Sequence, residues 1–133
     1  MLYINIEING KKTFALIDSG AEVTVMSEKL CKKCNLFDLC DTKESGEGKG
    51  MRNYKIKGII HAAEIKVENK NFLARINVVE NSLFPFILGY NIISTQRCII
   101  DFKKNCIFFS KLGITTKFLS EGEMKKIKEA QEK

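Results

Sequence analysis

Phe14-Ala15-Leu16-Ile17-Asp18-Ser19-Gly20-Ala21-Glu22-Val23-Thr24-Val25-Met26 decides how this chain is read. Two apolar, strand-type stretches flank a carboxylate. A charge placed there is costly unless it has partners. Ser19 puts a short hydroxyl beside it, and Gly20 lets backbone approach closely. The chain has four aspartates: Asp18, Asp38, Asp41 and Asp101. Asp38 and Asp41 lie in polar loop sequence and read as solvated. Asp101 precedes a turn and is expected to accept local hydrogen bonds. Asp18 alone is embedded in apolar sequence and followed by Ser-Gly, and that triplet occurs once.

Outward from the triplet, strands dominate. Leu2, Ile4, Ile6 and Ile8 alternate with other residues, and Asn9-Gly10 then predicts a hairpin into a strand over Lys12–Ile17. A strand over Glu22–Met26 follows, and Ser27 is a candidate N-cap for a short helix through Lys33. Asp41 to Lys55 is polar, with Gly46, Gly48 and Gly50, the composition of a loop or hairpin tip. Lys57–Val67 and Phe72–Val79 read as two strands joined by a turn. Phe86-Ile87-Leu88 has the apolar run of a buried strand, and Gly89 ends it. Asn91 is a candidate cap for a short helix through Gln96. Cys98–Phe102 and Cys106–Phe109 flank a turn at Lys103–Asn105. Ser120 and Glu123 have capping-box spacing ahead of a charged helix over Met124–Glu132.

Composition narrows the classes of function. At 133 residues the chain is of single-domain length. No apolar run approaches the ~20 residues that a membrane-spanning helix needs. Residues 1–8 alternate and lack the basic stretch of a signal peptide. The net charge of +6 is spread along the chain rather than gathered in one stripe, and stacking aromatics are not grouped with it. A nucleic-acid footprint is therefore not expected. Five cysteines without a signal peptide read as free thiols in a reducing compartment. Cys31, Cys34 and Cys40 have a spacing that suggests zinc, but a closed site needs four ligands. Buried thiols beside a short helix are the plainer reading, and no metal or cofactor is expected. His61 is the one histidine. It lies mid-strand, which favours a structural histidine over a member of a Ser-His or Cys-His nucleophile pair.

Ala15-Leu16-Ile17-Asp18-Ser19-Gly20-Ala21 resembles the active-site motif of retropepsin-like aspartic proteases. Phe86-Ile87-Leu88-Gly89 resembles that family's second signature, with Gly89 71 residues after Asp18. Further stretches are similar to one group, the protease domain of the DNA-damage-inducible protein 1 family. These are Met1–Ile6, Val25–Ser27, Gly46–Gly50, Ile56–His61, Leu88–Asn91, Asp101–Asn105 and Phe118–Glu121. The resemblance implies a mainly β fold: a retropepsin-like closed barrel, one half of the enzyme per chain, with one or two short helices. Residues 1–113 would form the protease domain and 114–133 a charged helical tail. The ubiquitin-like and ubiquitin-associated domains that family members often carry are absent, so the chain is expected to be a fragment or a reduced homologue.

The roles implied by the resemblance fall on named positions. Asp18 would be catalytic, with Ser19, Gly20 and Ala21 supporting it. Ile87, Leu88 and Gly89 would pack beneath it. Gly48, Lys49, Gly50, Met51 and Arg52 would form a flap over substrate, although Met51-Arg52-Asn53-Tyr54 departs from the glycine-rich tip usual in the group. Ser19 stands where threonine is commoner. One aspartate per chain implies a homodimeric endopeptidase acting on polypeptides, ubiquitinated proteins among them, in the cytoplasm and with access to the nucleus. The competing expectation is a catalytically weak dimerisation module of a ubiquitin-receptor shuttle.

Overall fold

The computed structural model describes residues 1–44, 46–47 and 55–131. The expected flap residues Gly48, Lys49, Gly50, Met51 and Arg52 lie outside the described residues.

The architecture is mainly β. Strands β1 (Leu2–Ile8), β2 (Lys11–Ile17) and β3 (Thr24–Ser27) lead into helix α1 (Glu28–Lys33). Two 3₁₀ turns and the two-residue strand β4 (Gly46–Glu47) precede a long antiparallel pair, β5 (Lys55–Val67) and β6 (Lys70–Glu80). Strand β7 (Phe86–Leu88) and helix α2 (Tyr90–Thr95) follow, then β8 (Cys98–Asp101), β9 (Cys106–Phe109), β10 (Ile114–Lys117) and helix α3 (Glu121–Gln131).

The main sheet runs β1-β2-β7-β3-β6-β5 and closes where β1 meets β5, at Glu7↔Lys66 and Ile8↔Ile65. The result is a closed six-stranded barrel with β4 as an edge strand on β5. The seam is short, and Lys66 reaches Glu7 across it at 3.8 Å. Closure removes the open edges that a flat sheet would leave. Alternation along β1 sends Ile4, Ile6 and Ile8 inward, where they are fully or almost fully buried among Phe86, Leu88, Ile65 and Ile76.

Local chemistry explains the element ends. Asn9 and Gly10 both have positive φ, 49° and 80°, the two-residue turn that Asn-Gly favours. Ser27 accepts from the Leu30 amide at 3.1 Å and caps α1. Ser120 and Glu123 bond reciprocally: the Ser120 amide reaches Glu123 Oε1 at 3.0 Å, and the Glu123 amide reaches Ser120 Oγ at 3.2 Å. These amide and hydroxyl donors hold the Glu123 carboxyl below its ordinary range.

Several boundaries differ from the sequence reading, and three of the differences bear on the site or the tail. Strand β3 starts at Thr24 rather than Glu22, because residues 21–23 belong to the Asp18 loop. The cap of α2 is Gly89, with no side-chain cap bond, and Asn91, the expected cap, lies inside the helix. Residues Ile114–Lys117, read as part of the tail, pair with β9 as a third strand. The helix itself begins at Glu121.

Candidate active site

Asp18 stands at the end of β2, half-buried, where the chain leaves the barrel. β7 lies between the strand that enters its loop and the strand that leaves it. It pairs in parallel with β2 (Leu16↔Ile87, Ile17↔Leu88) and antiparallel with β3 (Val25↔Ile87, Met26↔Phe86). The ladder then passes directly into the loop: the Asp18 amide donates to the Leu88 carbonyl at 3.1 Å. Leu16, Val25 and Ile87 share one face of these strands and form a second small core with Val79. Ile17, Met26, Phe86 and Leu88 face the main core. The loop is thus supported from both faces of the strands beneath it.

Two bonds shape the loop. The Ala21 amide closes a turn on the Asp18 carbonyl at 3.1 Å. The Gly20 amide donates to Asp18 Oδ1 at 3.0 Å, orienting the carboxylate. A Cβ at Gly20 would stand 3.3 Å from that same oxygen, so glycine allows the close approach. Ser19 and Gly20 are exposed, and Ala21 is half-buried.

The far side of the loop is fastened to the start of α2. The Tyr90 amide donates to the Ala21 carbonyl at 2.6 Å. A Cβ on Gly89 would lie 2.4 Å from the Val23 carbonyl oxygen and 2.8 Å from that of Ala21. No side chain fits there without moving backbone. The structure therefore brings Asp18, Gly20 and Ala21 together with Leu88 and Gly89.

Sequence reasoning missed Thr24. It is fully buried in β3. Its Oγ1 accepts from the Gly89 amide at 3.0 Å and donates to Asn91 Oδ1 at 2.7 Å. Asn91 Nδ2 donates in turn to the Arg75 carbonyl at 3.2 Å. The available signal was a hydroxyl inside the apolar run Val23–Met26, where a buried polar group requires partners.

The other candidates lie elsewhere. His61 is exposed and places Nε2 3.0 Å from Asp41 Oδ2. That bond, with the Lys43 amide on Oδ1, holds the Asp41 carboxyl below its ordinary range. Asp101 accepts from the Lys104 amide at 3.0 Å, as a turn residue should. All five cysteines are free thiols. Burial is the main cause that pushes Cys31 up to about 12 and Cys34 up to about 11, so both are uncharged at neutral pH. No cluster of three or more metal-ligating side chains occurs among the described residues. No helix among them is long and apolar enough to cross a membrane.

A lone Asp-Ser-Gly loop, bracketed by an inserted apolar strand on a six-stranded barrel, defines a retropepsin-like aspartyl protease domain, and the chain belongs to the aspartyl protease family, whose model matches residues 1–101. Within it the likeness is to the DDI1 branch. The chain is 36% identical over 124 residues to protein DDI1 homolog 2 of Mus musculus and of Homo sapiens, covering 93% of this chain and 31% of each relative. It spans about a third of the length of these relatives. The retroviral protease-like domain of Ddi1 from Leishmania major superimposes with a TM-score of 0.84 at 28% identity, covering 92% of this chain and 97% of that one. A retropepsin-like aspartic protease from Rickettsia conorii shares the fold, with a TM-score of 0.53 at 18% identity over 75% of this chain and 74% of that one.

Proposed function

We propose that the chain is one subunit of a homodimeric aspartic endopeptidase in which Asp18 and Asp18 of the partner subunit form the catalytic dyad. The observation that carries this reading is the Asp18 loop: an oriented carboxylate, emerging from a supported strand end, once per chain. Two such carboxyl groups about 3 Å apart cannot both ionise and so share a proton. The ionised member takes a proton from a bound water, which attacks the scissile carbonyl carbon. The protonated member donates to the carbonyl oxygen. The tetrahedral diol collapses as a proton reaches the amide nitrogen and the amine leaves, with no acyl-enzyme. This is general acid–base catalysis on water.

A second copy is favoured by the free side of β8. Among the described residues it is one of the two edge strands of the β10-β9-β8 sheet; Ile99 on it is 57% exposed, and Phe102, the residue after its end, is 75% exposed. An edge strand with apolar side chains is a template for another strand, and β8 follows α2 directly from the Gly89 junction. Polypeptides are the substrate class, with ubiquitinated proteins the subset implied by the likeness to the DDI1 branch, in the cytoplasm and with access to the nucleus.

The test is cleavage of an unstructured polypeptide by the purified dimer and by Asp18→Asn. The substitution removes the shared-proton chemistry and should lower kcat by about 10²–10⁴-fold. Cleavage at an unchanged rate would rule out the Asp18 dyad, and no cleavage by the wild-type protein would favour the dimerisation module.

A further inference from the structure

The Thr24–Asn91 pair is not consumed by the chemistry above, yet it lies between the Asp18 loop and α2. Each bond in it has only one possible direction. The Arg75 carbonyl can only accept, so the Asn91 amide must turn Nδ2 toward it. Asn91 Oδ1 therefore faces Thr24, and the Thr24 hydroxyl must give its hydrogen to Asn91. Its lone pairs are then left to receive the Gly89 amide. The chain of donors runs from Gly89 through Thr24 and Asn91 to the backbone of β6. It anchors the point where Gly89 packs on the Val23 and Ala21 carbonyls, beside the Leu88 carbonyl that holds the Asp18 amide.

We propose that Thr24 and Asn91 are positioning residues for Asp18: their directed hydrogen bonds lock Gly89 against the 18–23 loop and so fix where the carboxyl group stands. The inference rests on the endopeptidase reading for its catalytic consequence and on the hydrogen bonds alone for its structural one. A dyad tolerates little displacement, because its two carboxyl groups must share one proton. A misplacement of about 1 Å in such a site costs roughly 10²-fold in rate.

The experiment compares Thr24→Val, which keeps shape and loses the hydroxyl, with Thr24→Ser, which keeps the hydroxyl, and with Asn91→Leu. Amide hydrogen exchange is read first, since it needs no activity. Thr24→Val and Asn91→Leu should speed exchange at Asp18, Gly20, Gly89 and Tyr90 while leaving Cys106–Phe109 of β9 protected, and Thr24→Ser should stay near wild type. Steady-state cleavage is read second. The same two variants should lose about 10²-fold in kcat with KM little changed.

Wild-type exchange at all four amides in both variants overturns the proposal. Exchange that rises equally in β9 also overturns it, since the effect is then general destabilisation. If Thr24→Val does not fold, Asn91→Leu, whose side chain is only half-buried, decides the matter by the same readouts. If the wild-type protein cleaves nothing, or cleaves as well with Asn at 18, the endopeptidase reading fails while the exchange result still decides the positioning role.

Discussion

Gly89 and Asp18 show what a single residue contributes. Gly89→Ala drives a methyl into the Val23 carbonyl at 2.4 Å, so it should destabilise the fold by about 1–3 kcal/mol, as overpacking generally does. Urea denaturation measures it, and an unchanged midpoint would show that the loop can yield. Asp41 offers a titration test. Its folded carboxyl is held low, chiefly by the His61 hydrogen bond and then by the Lys43 amide. A depressed carboxylate contributes stability that is present above its unfolded pKa and is lost as pH falls through the folded value. His61→Ala should therefore move the Asp41 midpoint upward toward the ordinary range in a carboxyl NMR titration. Asp18, Gly20 and Gly89 were legible in the sequence because their residue types are themselves unusual in apolar context. Thr24 was not, since one threonine in a strand is ordinary until its partners are known. Asn91 was misassigned for a related reason: Asn near a helix start reads as a cap, whereas here it bonds Thr24 across 67 residues.

At the scale of elements, α1 was read from its cap and the structure places it at the same bounds, Glu28–Lys33. Ser27→Ala should cost about 1 kcal/mol, the usual value of a lost N-cap, read as a lower thermal midpoint. Cys31 and Cys34 lie buried on or next to this helix, with thiols pushed up to about 12 and 11. Native protein should consequently alkylate there slowly near neutral pH, and denaturant should release the block. Mass spectrometry of iodoacetamide adducts distinguishes the two states. The strand ends were less legible. Glu22 and Val23 were read as the start of the strand, yet the Ala21 amide and carbonyl just before them are taken by Asp18 and Tyr90, and tertiary contacts override the local preference. β10 escaped notice because Ile114-Thr115-Thr116-Lys117 is short and acquires strand geometry by pairing with β9.

For the whole molecule, barrel closure is the decisive feature, and the proposed second copy is the one to test. Closure depends on a short β1–β5 seam at which Ile8 and Ile65 are both fully buried. Ile65→Ala should cost about 2–5 kcal/mol through lost burial and a residual cavity, measured by chemical denaturation. The proposed assembly predicts a solution mass near twice the 15.1 kDa of the chain, by light scattering. Phe102→Asp, in the exposed turn just after β8, should shift that mass toward the monomer and lower cleavage with it. A monomeric wild-type protein that still cleaved would remove the symmetric dyad from consideration.

By itself the sequence determined the family and most of the elements. Asp-Ser-Gly between apolar runs, Asn-Gly turns and capping residues act through near neighbours in the chain, so their physics is local. Tertiary structure alone decided how β7 enters between β2 and β3, where the barrel closes, and which distant groups hold the Asp18 loop. Those contacts join residues some 70 positions apart. They arise because buried backbone and hydroxyl groups must find partners wherever packing brings them, and packing is a property of the folded chain.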